Sequence, residues 1–236
     1  MGTGRAAMSV HGHPARPMSE LQPTAEELRV ISVVYTSSIL PLALVLWLRF
    51  RRRLPQWIWR VYWLSFGACA VGWELWFTYG WVGGDPVDER RAAVLTEAIP
   101  IHLNWLLNSL ADAGAICLGG LLLVWVVFRR RPSAGPSELF QSWHWGVFSL
   151  LLLHFIAQNL FVEMFLYHDQ LAEGKPLSWA PLAPTGPWFN PTLFRFGERT
   201  ITLQGQLPWF IMAPLFYGAV IREARREGAG RVTSAG

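Results

Sequence analysis

Five apolar stretches constrain this chain more than any other feature of its sequence. They run from Val30 to Trp47, from Val61 to Trp81, from Ile101 to Phe128, from Trp145 to Tyr167 and from Leu207 to Ile221. A helix of about 20 apolar residues spans the hydrocarbon core of a bilayer. Only 15% of the residues are charged, against about 25% in water-soluble domains. The sequence therefore predicts an all-α, integral, multi-pass membrane protein, folded as a five-helix transmembrane bundle.

The basic residues predict the orientation of this bundle. All but one of the 20 are arginines, and most occur in three clusters. These clusters are Arg49 to Arg60 after the first stretch, Arg129 to Arg131 after the third, and Arg222 to Arg231 after the fifth. Basic loops face the cytoplasm, so we expect the N-terminus outside and the C-terminus in the cytoplasm. The net charge of +4 is then a matter of topology, and no nucleic-acid partner is expected.

The remaining segments divide the chain further. Residues 1–28 are predicted to be a disordered N-terminal tail, 29–223 the transmembrane domain, and 224–236 a disordered cytoplasmic tail. The outer loop 168–204 is rich in Pro and contains Trp179, Trp188, Phe189 and Phe194. Two interpretations stay open for it: a lid over the bundle, or an aromatic belt at the interface. Cys69 and Cys117 lie in apolar stretches, where cysteine is typically a small buried side chain.

Three acidic residues lie inside the predicted helices, namely Glu74, Asp112 and Glu163. A charge at the bilayer centre costs at least about 2.5–3.5 kcal/mol, so each acid needs a reason to be there. No Lys or Arg lies within a predicted span to neutralise them. An unpaired carboxyl in a medium of low dielectric favours its neutral form, which can donate a proton. We predict Glu74 and Asp112 as proton donor and acceptor in either order, assisted by Glu163 and His154.

Polar and aromatic side chains accompany these acids. Asn104, Asn108 and Asp112 recur every four residues and therefore share one helical stripe. The predicted substrate-binding residues are Trp73, Trp76, Phe77, Asn104, Trp105, Asn108, Gln158 and Asn159. Aromatic faces, here above all those of Trp73, Trp76 and Trp105, stabilise a cation that has lost its water. The combination indicates protonation of a carbon–carbon double bond in a hydrophobic isoprenoid or sterol-like lipid.

Other readings of the same residues stay open. The amides and acids could be interhelical hydrogen-bonding pairs without chemistry. A cavity formed by these residues could also belong to a non-catalytic lipid- or sterol-binding protein, a subunit of a larger complex, or a proton-linked transporter. The histidines are scattered and no cofactor motif occurs, so neither a metal nor a cofactor is expected, with a two-histidine haem site as a minor alternative. A homodimer is compatible with the sequence.

Several short motifs resemble the emopamil-binding (EXPERA-type) family, which includes five-span sterol isomerases. Trp73-Glu74-Leu75-Trp76-Phe77 is similar to that family's first acid followed by aromatics, and Asp112 lies where the family has its second acid. Gln206 and Trp209 are similar to its last helix, which adds both to the predicted substrate-binding residues. Where the family's isomerases carry a His one turn before the first acid, this chain has Ala70. A second resemblance, through the Trp-Glu pair, is to small membrane-bound terpene cyclases. Both resemblances imply alkene protonation.

Overall fold

The computed structural model describes residues 22–82, 85–86, 91–129, 138–167, 191–197 and 199–233. This part of the chain is mostly helical. Three helices are long and apolar enough to cross a membrane, namely Ala25–Phe50, Ile101–Phe128 and Trp145–Leu166. They coincide with the first, third and fourth predicted spans. Of the predicted loop 168–204, the part from 168 to 190, with Trp179, Trp188 and Phe189, lies outside the described residues.

The elements follow one another as helices with two short hairpins between them. The helices are α1 (Ala25–Phe50), α2 (Gln56–Val71), α3 (Trp73–Tyr79), α4 (Ala93–Ala98), α5 (Ile101–Ala111), α6 (Gly119–Phe128), α7 (Trp145–Val162) and α8 (Leu203–Thr233). A π-helical segment, π1 (Asp112–Leu118), joins α5 to α6, and a second, π2 (Glu163–Tyr167), extends α7. Glu138–Phe140 forms a 3-10 turn. Strands β1 (Trp81–Val82) and β2 (Asp85–Pro86) pair antiparallel, as do β3 (Thr192–Phe196) and β4 (Arg199–Thr202).

The second predicted span differs from expectation because the helix breaks at Gly72. The Gly72 amide still donates to the Ala68 carbonyl oxygen at 3.0 Å, and α3 starts at the next residue. A Cβ at position 72 would lie 2.5 Å from that carbonyl oxygen, so the break accommodates glycine and little else. The span is therefore two helices of 16 and 7 residues rather than one.

Both ends of the predicted transmembrane domain also differ from expectation. Helix α1 begins at Ala25, inside the predicted tail, because Thr24 and Glu27 form a reciprocal capping box. Helix α8 continues to Thr233, through most of the predicted C-terminal tail. Contacts of its last turns explain this, since the Glu227 carboxylate accepts the Trp57 amide at 2.8 Å. In the predicted loop 168–204, Thr192–Phe196 and Arg199–Thr202 pair as the β3–β4 hairpin.

The largest apolar cluster joins α2, α6, α7 and α8. Its fully buried members include Val61, Leu151, Phe155 and Tyr217. Cys69 and Cys117 are buried in the same cluster as free thiols. Away from this cluster, the long helices expose large apolar side chains. Leu40 of α1, Leu153 of α7 and Leu215 of α8 are each about two-thirds exposed.

The bundle has two chemically distinct ends. At the Arg-rich end, the start of α2, the turn near Phe140 and the last turns of α8 contact one another. Arg60 pairs with Glu223, and the Arg225 guanidinium donates to the Gln141 carbonyl oxygen. At the opposite end, which we call the cavity end, the helices surround an internal space.

Candidate functional site

A cavity of about 290 Å³ lies at the cavity end, between α1, α3, α5, π1, α7, π2 and the start of α8. It brings together most residues that the sequence predicts for the site. Those that line it are Trp73, Glu74, Phe77, Asn104, Asn108, Asp112, Gln158, Asn159, Glu163 and Trp209. All three acids thus meet at one cavity, although they come from three different helices. One wall, which the sequence did not predict, consists of Val30, Val33, Val34 and Ser37 of α1.

Each of the three acids lies where a helix is irregular. Glu74 follows the break at Gly72 by two residues. Asp112 is the first residue of π1, and Glu163 is the first residue of π2. Short π-helical segments are frequent at functional sites, and non-helical backbone at membrane depth is tolerated where it lines a cavity. The irregular backbone and the acids therefore occur together.

Glu74 is the least satisfied of the three carboxyls. Its side chain is 7% exposed, and Oε2 has no hydrogen-bond partner among the residues that the structure describes. The amide of Asn108 lies against this carboxyl, and Asp112 is close enough to interact with it electrostatically. A buried polar atom without a partner is rare in folded proteins and calls for an explanation.

Asp112 has a defined partner. The indole Nε1–H of Trp73 donates to its Oδ2 at 2.7 Å. The Trp73 ring packs against the ring of Trp209, with centroids 4.9 Å apart. The Trp209 indole in turn donates to Asn159 Oδ1 at 3.1 Å. The two tryptophans therefore form an aromatic wall that joins the Asp112 side of the cavity to the Asn159 side.

Both oxygens of Glu163 are hydrogen-bonded. Oε1 accepts from Asn159 Nδ2 at 3.3 Å, and Oε2 accepts from Gln206 Nε2 at 3.0 Å. Asn159 also donates to Gln206 Oε1 at 2.9 Å. The carboxylate lies directly against Gly205 at the start of α8, in space that a Cβ would occupy. Glu163 therefore links π2 to α8 through a nearly closed network, with Gln206 buried behind the cavity.

Besides Gln206, three predicted residues lie away from the cavity lining. Trp76 is 40% exposed on another face of α3. The Trp105 indole donates to the Ala70 carbonyl oxygen at 2.8 Å, which ties α5 to the end of α2. His154 Nε2 is 3.1 Å from the Ile116 carbonyl oxygen in π1. The structure thus places Trp105 and His154 in helix–helix contacts.

Sequence reasoning missed Arg91, which lines the cavity from the segment before α4. Its side chain is only 8% exposed. Burial lowers the pKa of Arg91 to about 10, so the guanidinium is still protonated at neutral pH. The available signal was an arginine in a largely acidic loop that the sequence predicts to face outward, against the general distribution of arginine in this chain.

Of the described residues, the titratable side chains that line the cavity are three carboxyls and this guanidinium. Among the described residues, no three His, Cys, Asp or Glu are grouped in a way that could hold a metal ion.

Comparison with protein-family models, curated proteins and solved structures gave no match. The resemblances to emopamil-binding proteins and to terpene cyclases therefore stay predictions. What the structure defines is a helical protein with three helices able to cross a membrane, and an acid-lined, partly aromatic cavity between them.

Proposed function

We propose that this protein is a multi-pass membrane enzyme that isomerises or cyclises an isoprenoid or sterol-like lipid by protonating an alkene. The observation that carries the proposal is the convergence of Glu74, Asp112 and Glu163 on one cavity with an aromatic wall. If each acid only formed a separate hydrogen-bonded pair between helices, the three acids would not need to face the same cavity. Convergent polar groups in an otherwise apolar cavity are typical of binding and active sites.

The membrane setting is part of the proposal. Beside the three long apolar helices, α2 with α3 and the apolar part of α8 would supply two further crossings. The apolar side chains exposed on α1, α7 and α8 suit contact with lipid tails. With the Arg-rich end in the cytoplasm, the cavity lies in the outer half of the bilayer. A hydrophobic substrate would then reach it from the membrane.

The proposed reaction begins at Glu74, whose unpartnered oxygen makes it the proton donor. Its O–H bond breaks, the π electrons of the substrate alkene form a new C–H bond, and a carbocation remains on the neighbouring carbon. Asp112 is the acceptor, because the Trp73 indole N–H favours its anionic form. It removes a proton from an adjacent carbon, and those C–H electrons form the new double bond. In a cyclisation, a second alkene attacks the cation first.

Turnover requires that the proton return from Asp112 to Glu74. The two carboxyls interact electrostatically across the cavity, so they act as a pair that shares one proton. Trp73, Trp209 and Phe77 line the same space and supply the faces that stabilise the cation. Because these walls are apolar, they also exclude the water that would quench it.

The decisive experiment compares Glu74→Gln and Asp112→Asn with wild type. Lipid extracts of cells expressing each form are analysed by mass spectrometry for a product that depends on the protein. General acid–base groups contribute about 10²–10⁴-fold, so we expect each variant to lose product formation by that factor. Glu97→Gln, which changes an exposed acid of α4 away from the cavity lining, is the control and should retain activity. Unchanged product formation in both cavity variants would refute the proposal.

A second candidate is a lipid-binding protein that uses the same cavity without turnover. The closed hydrogen-bond network of Glu163 favours it, since that acid already has partners for both oxygens. Extracts would then differ from control cells in a bound lipid and not in a new product. In that case Glu74→Gln would change the amount of lipid recovered with the purified protein.

A further inference from the structure

Within the described residues, Arg91 is a buried cation without a carboxylate partner. Its guanidinium donates to the Ile99 carbonyl oxygen at 2.8 Å and to Asn104 Oδ1 at 3.1 Å, both of which are neutral groups. Its Nε has no partner, and no acid of the described chain lies within the 4.0 Å of an ion pair. A buried, uncompensated charge is strongly unfavourable, and proteins retain one mainly where it serves a function.

We propose that Arg91 binds the anionic head group, a carboxylate or phosphate, of a short isoprenoid whose chain extends toward Glu74 and Asp112. This inference rests on the proposed function and narrows its substrate class. Arginine presents five N–H donors in a planar fork that matches carboxylate and phosphate oxygens. Only two of those donors are used within the described structure. The remaining donors leave capacity for a charge-assisted contact.

The position of Arg91 sets the direction of the bound molecule. Arg91 contacts Asn104, and Asp112 lies eight residues further along the same stripe. At 1.5 Å per residue, this separates head group and acceptor acid by roughly 12 Å along the helix axis. The double bond that is protonated would therefore be remote from the head group. A cavity of about 290 Å³ is small for a ligand pocket, which favours a short chain over a full sterol.

An anionic head group also resolves a conflict in the proposed mechanism. A protonated Arg91 in the cavity would repel a carbocation formed in the same space of low dielectric. Pairing with a phosphate or carboxylate compensates that charge before the cation forms. The head group would thus anchor the substrate and remove a like charge from the site.

The test measures binding of three probes to the full chain in nanodiscs of neutral phosphatidylcholine. The probes are farnesyl monophosphate, farnesoic acid and farnesol, which share a chain and differ in head group. A hydrogen bond between charged groups corresponds to a factor of roughly 10–100, so we expect at least one anionic probe to bind that much tighter than farnesol. The tighter of the two anions identifies the head group. Equal binding of all three probes by wild type would overturn the inference without any variant.

Variants then locate the effect. Arg91→Gln should remove the preference for the anion and leave farnesol binding within a few-fold, while Arg91→Lys should keep part of the preference. Arg195→Gln, which removes an exposed arginine of β3, is the matched control and should bind like wild type. A preference that persists in Arg91→Gln would overturn the inference. Glu74→Gln should still prefer the anion, so a failed reaction and a failed head-group site give different results.

Discussion

Two buried glutamates at opposite ends of the molecule have opposite environments. Glu223, at the Arg-rich end, is 2% exposed and accepts from Arg226 at 2.9 Å, Arg222 at 3.1 Å and Arg60 at 3.4 Å. Glu74, at the cavity end, is 7% exposed and keeps one oxygen without a partner in the described structure. The same side chain is therefore compensated where it joins helices, and left uncompensated where it borders a cavity.

The backbone shows the same contrast. Near Glu223, α8 is a regular helix. The Glu223 carboxylate connects α8 to α2 by accepting a hydrogen bond from Arg60. Around the cavity, the helices break at Gly72 and pass into π1 and π2. Functional sites often carry strain and unpaired groups that lower stability. One end of the bundle therefore carries compensated charges on regular helix, while the other has irregular backbone and an uncompensated carboxyl beside a cavity.

The largest stability effect should come from Glu223→Gln. The change removes the charge that three arginines share, and bonds to charged groups contribute about 1.5–3 kcal/mol. Glu74→Gln should alter the free energy of unfolding far less, because no cation of the described residues pairs with Glu74. The stability of both variants is measured by thermal unfolding in detergent, monitored by circular dichroism. Equal losses in the two variants would abolish the contrast between the two ends.

Low pH should reveal the same difference between the two ends of the bundle. Burial alone would raise the pKa of Glu223, but Arg60, Arg226 and Arg222 together hold it below the ordinary 4.5. A lowered pKa means stability that is present above pH 4.5 and lost as the pH falls through the folded value. The gap in unfolding temperature between wild type and Glu223→Gln should therefore shrink below pH 4.5. A gap that stays constant down to pH 3 would contradict this pairing.

Helical periodicity explains how much of the cavity was predictable. Asn104, Asn108 and Asp112 share a stripe by spacing alone, and all three line the cavity. The same geometry explains why the predicted residue Trp76 does not line the cavity. Each residue turns the helix by about 100°, so Trp76 points roughly 200° away from Glu74. Proximity in sequence suggested a cation-stabilising wall there, whereas rotation places Trp76 on another face.

Other features depend on tertiary contacts that no local pattern reports. Arg91 reaches the cavity from a loop because Ile99 and Asn104 hold its guanidinium. The π1 segment packs against α1 where Gly114 meets Pro41, with a Cβ at 114 only 2.5 Å from the proline Cβ. By contrast, the start of α1 could have been predicted from the spacing of Thr24 and Glu27, which is that of a capping box, but the prediction placed both in a disordered tail.

A smaller effect should separate two glycines of α8. A methyl group at Gly205 would collide with the Glu163 carboxylate, while nothing lies within 4 Å of one at Gly218. Overpacking costs about 1–3 kcal/mol, so Gly205→Ala should lower the unfolding temperature. Gly218→Ala should leave it unchanged or raise it slightly, because alanine favours helix. A tolerated Gly205→Ala would show that the Glu163 network is looser than its hydrogen bonds indicate.

The smallest effect tests the aromatic wall. Trp209→Phe keeps a ring against Trp73 but removes the indole donor to Asn159, a bond that contributes about 1 kcal/mol. Trp125→Phe at the Arg-rich end is the control, since Trp125 is 37% exposed and the Arg129 guanidinium lies over its ring, 5.1 Å from the centroid. Unfolding temperatures in detergent should fall more for Trp209→Phe than for Trp125→Phe.

The loss should also reach Glu163, because Asn159 binds Gln206 and Glu163 as well. Adding Glu163→Gln to Trp209→Phe should therefore cost less than the sum of the two single changes. Additive losses would separate the aromatic wall from the acid network.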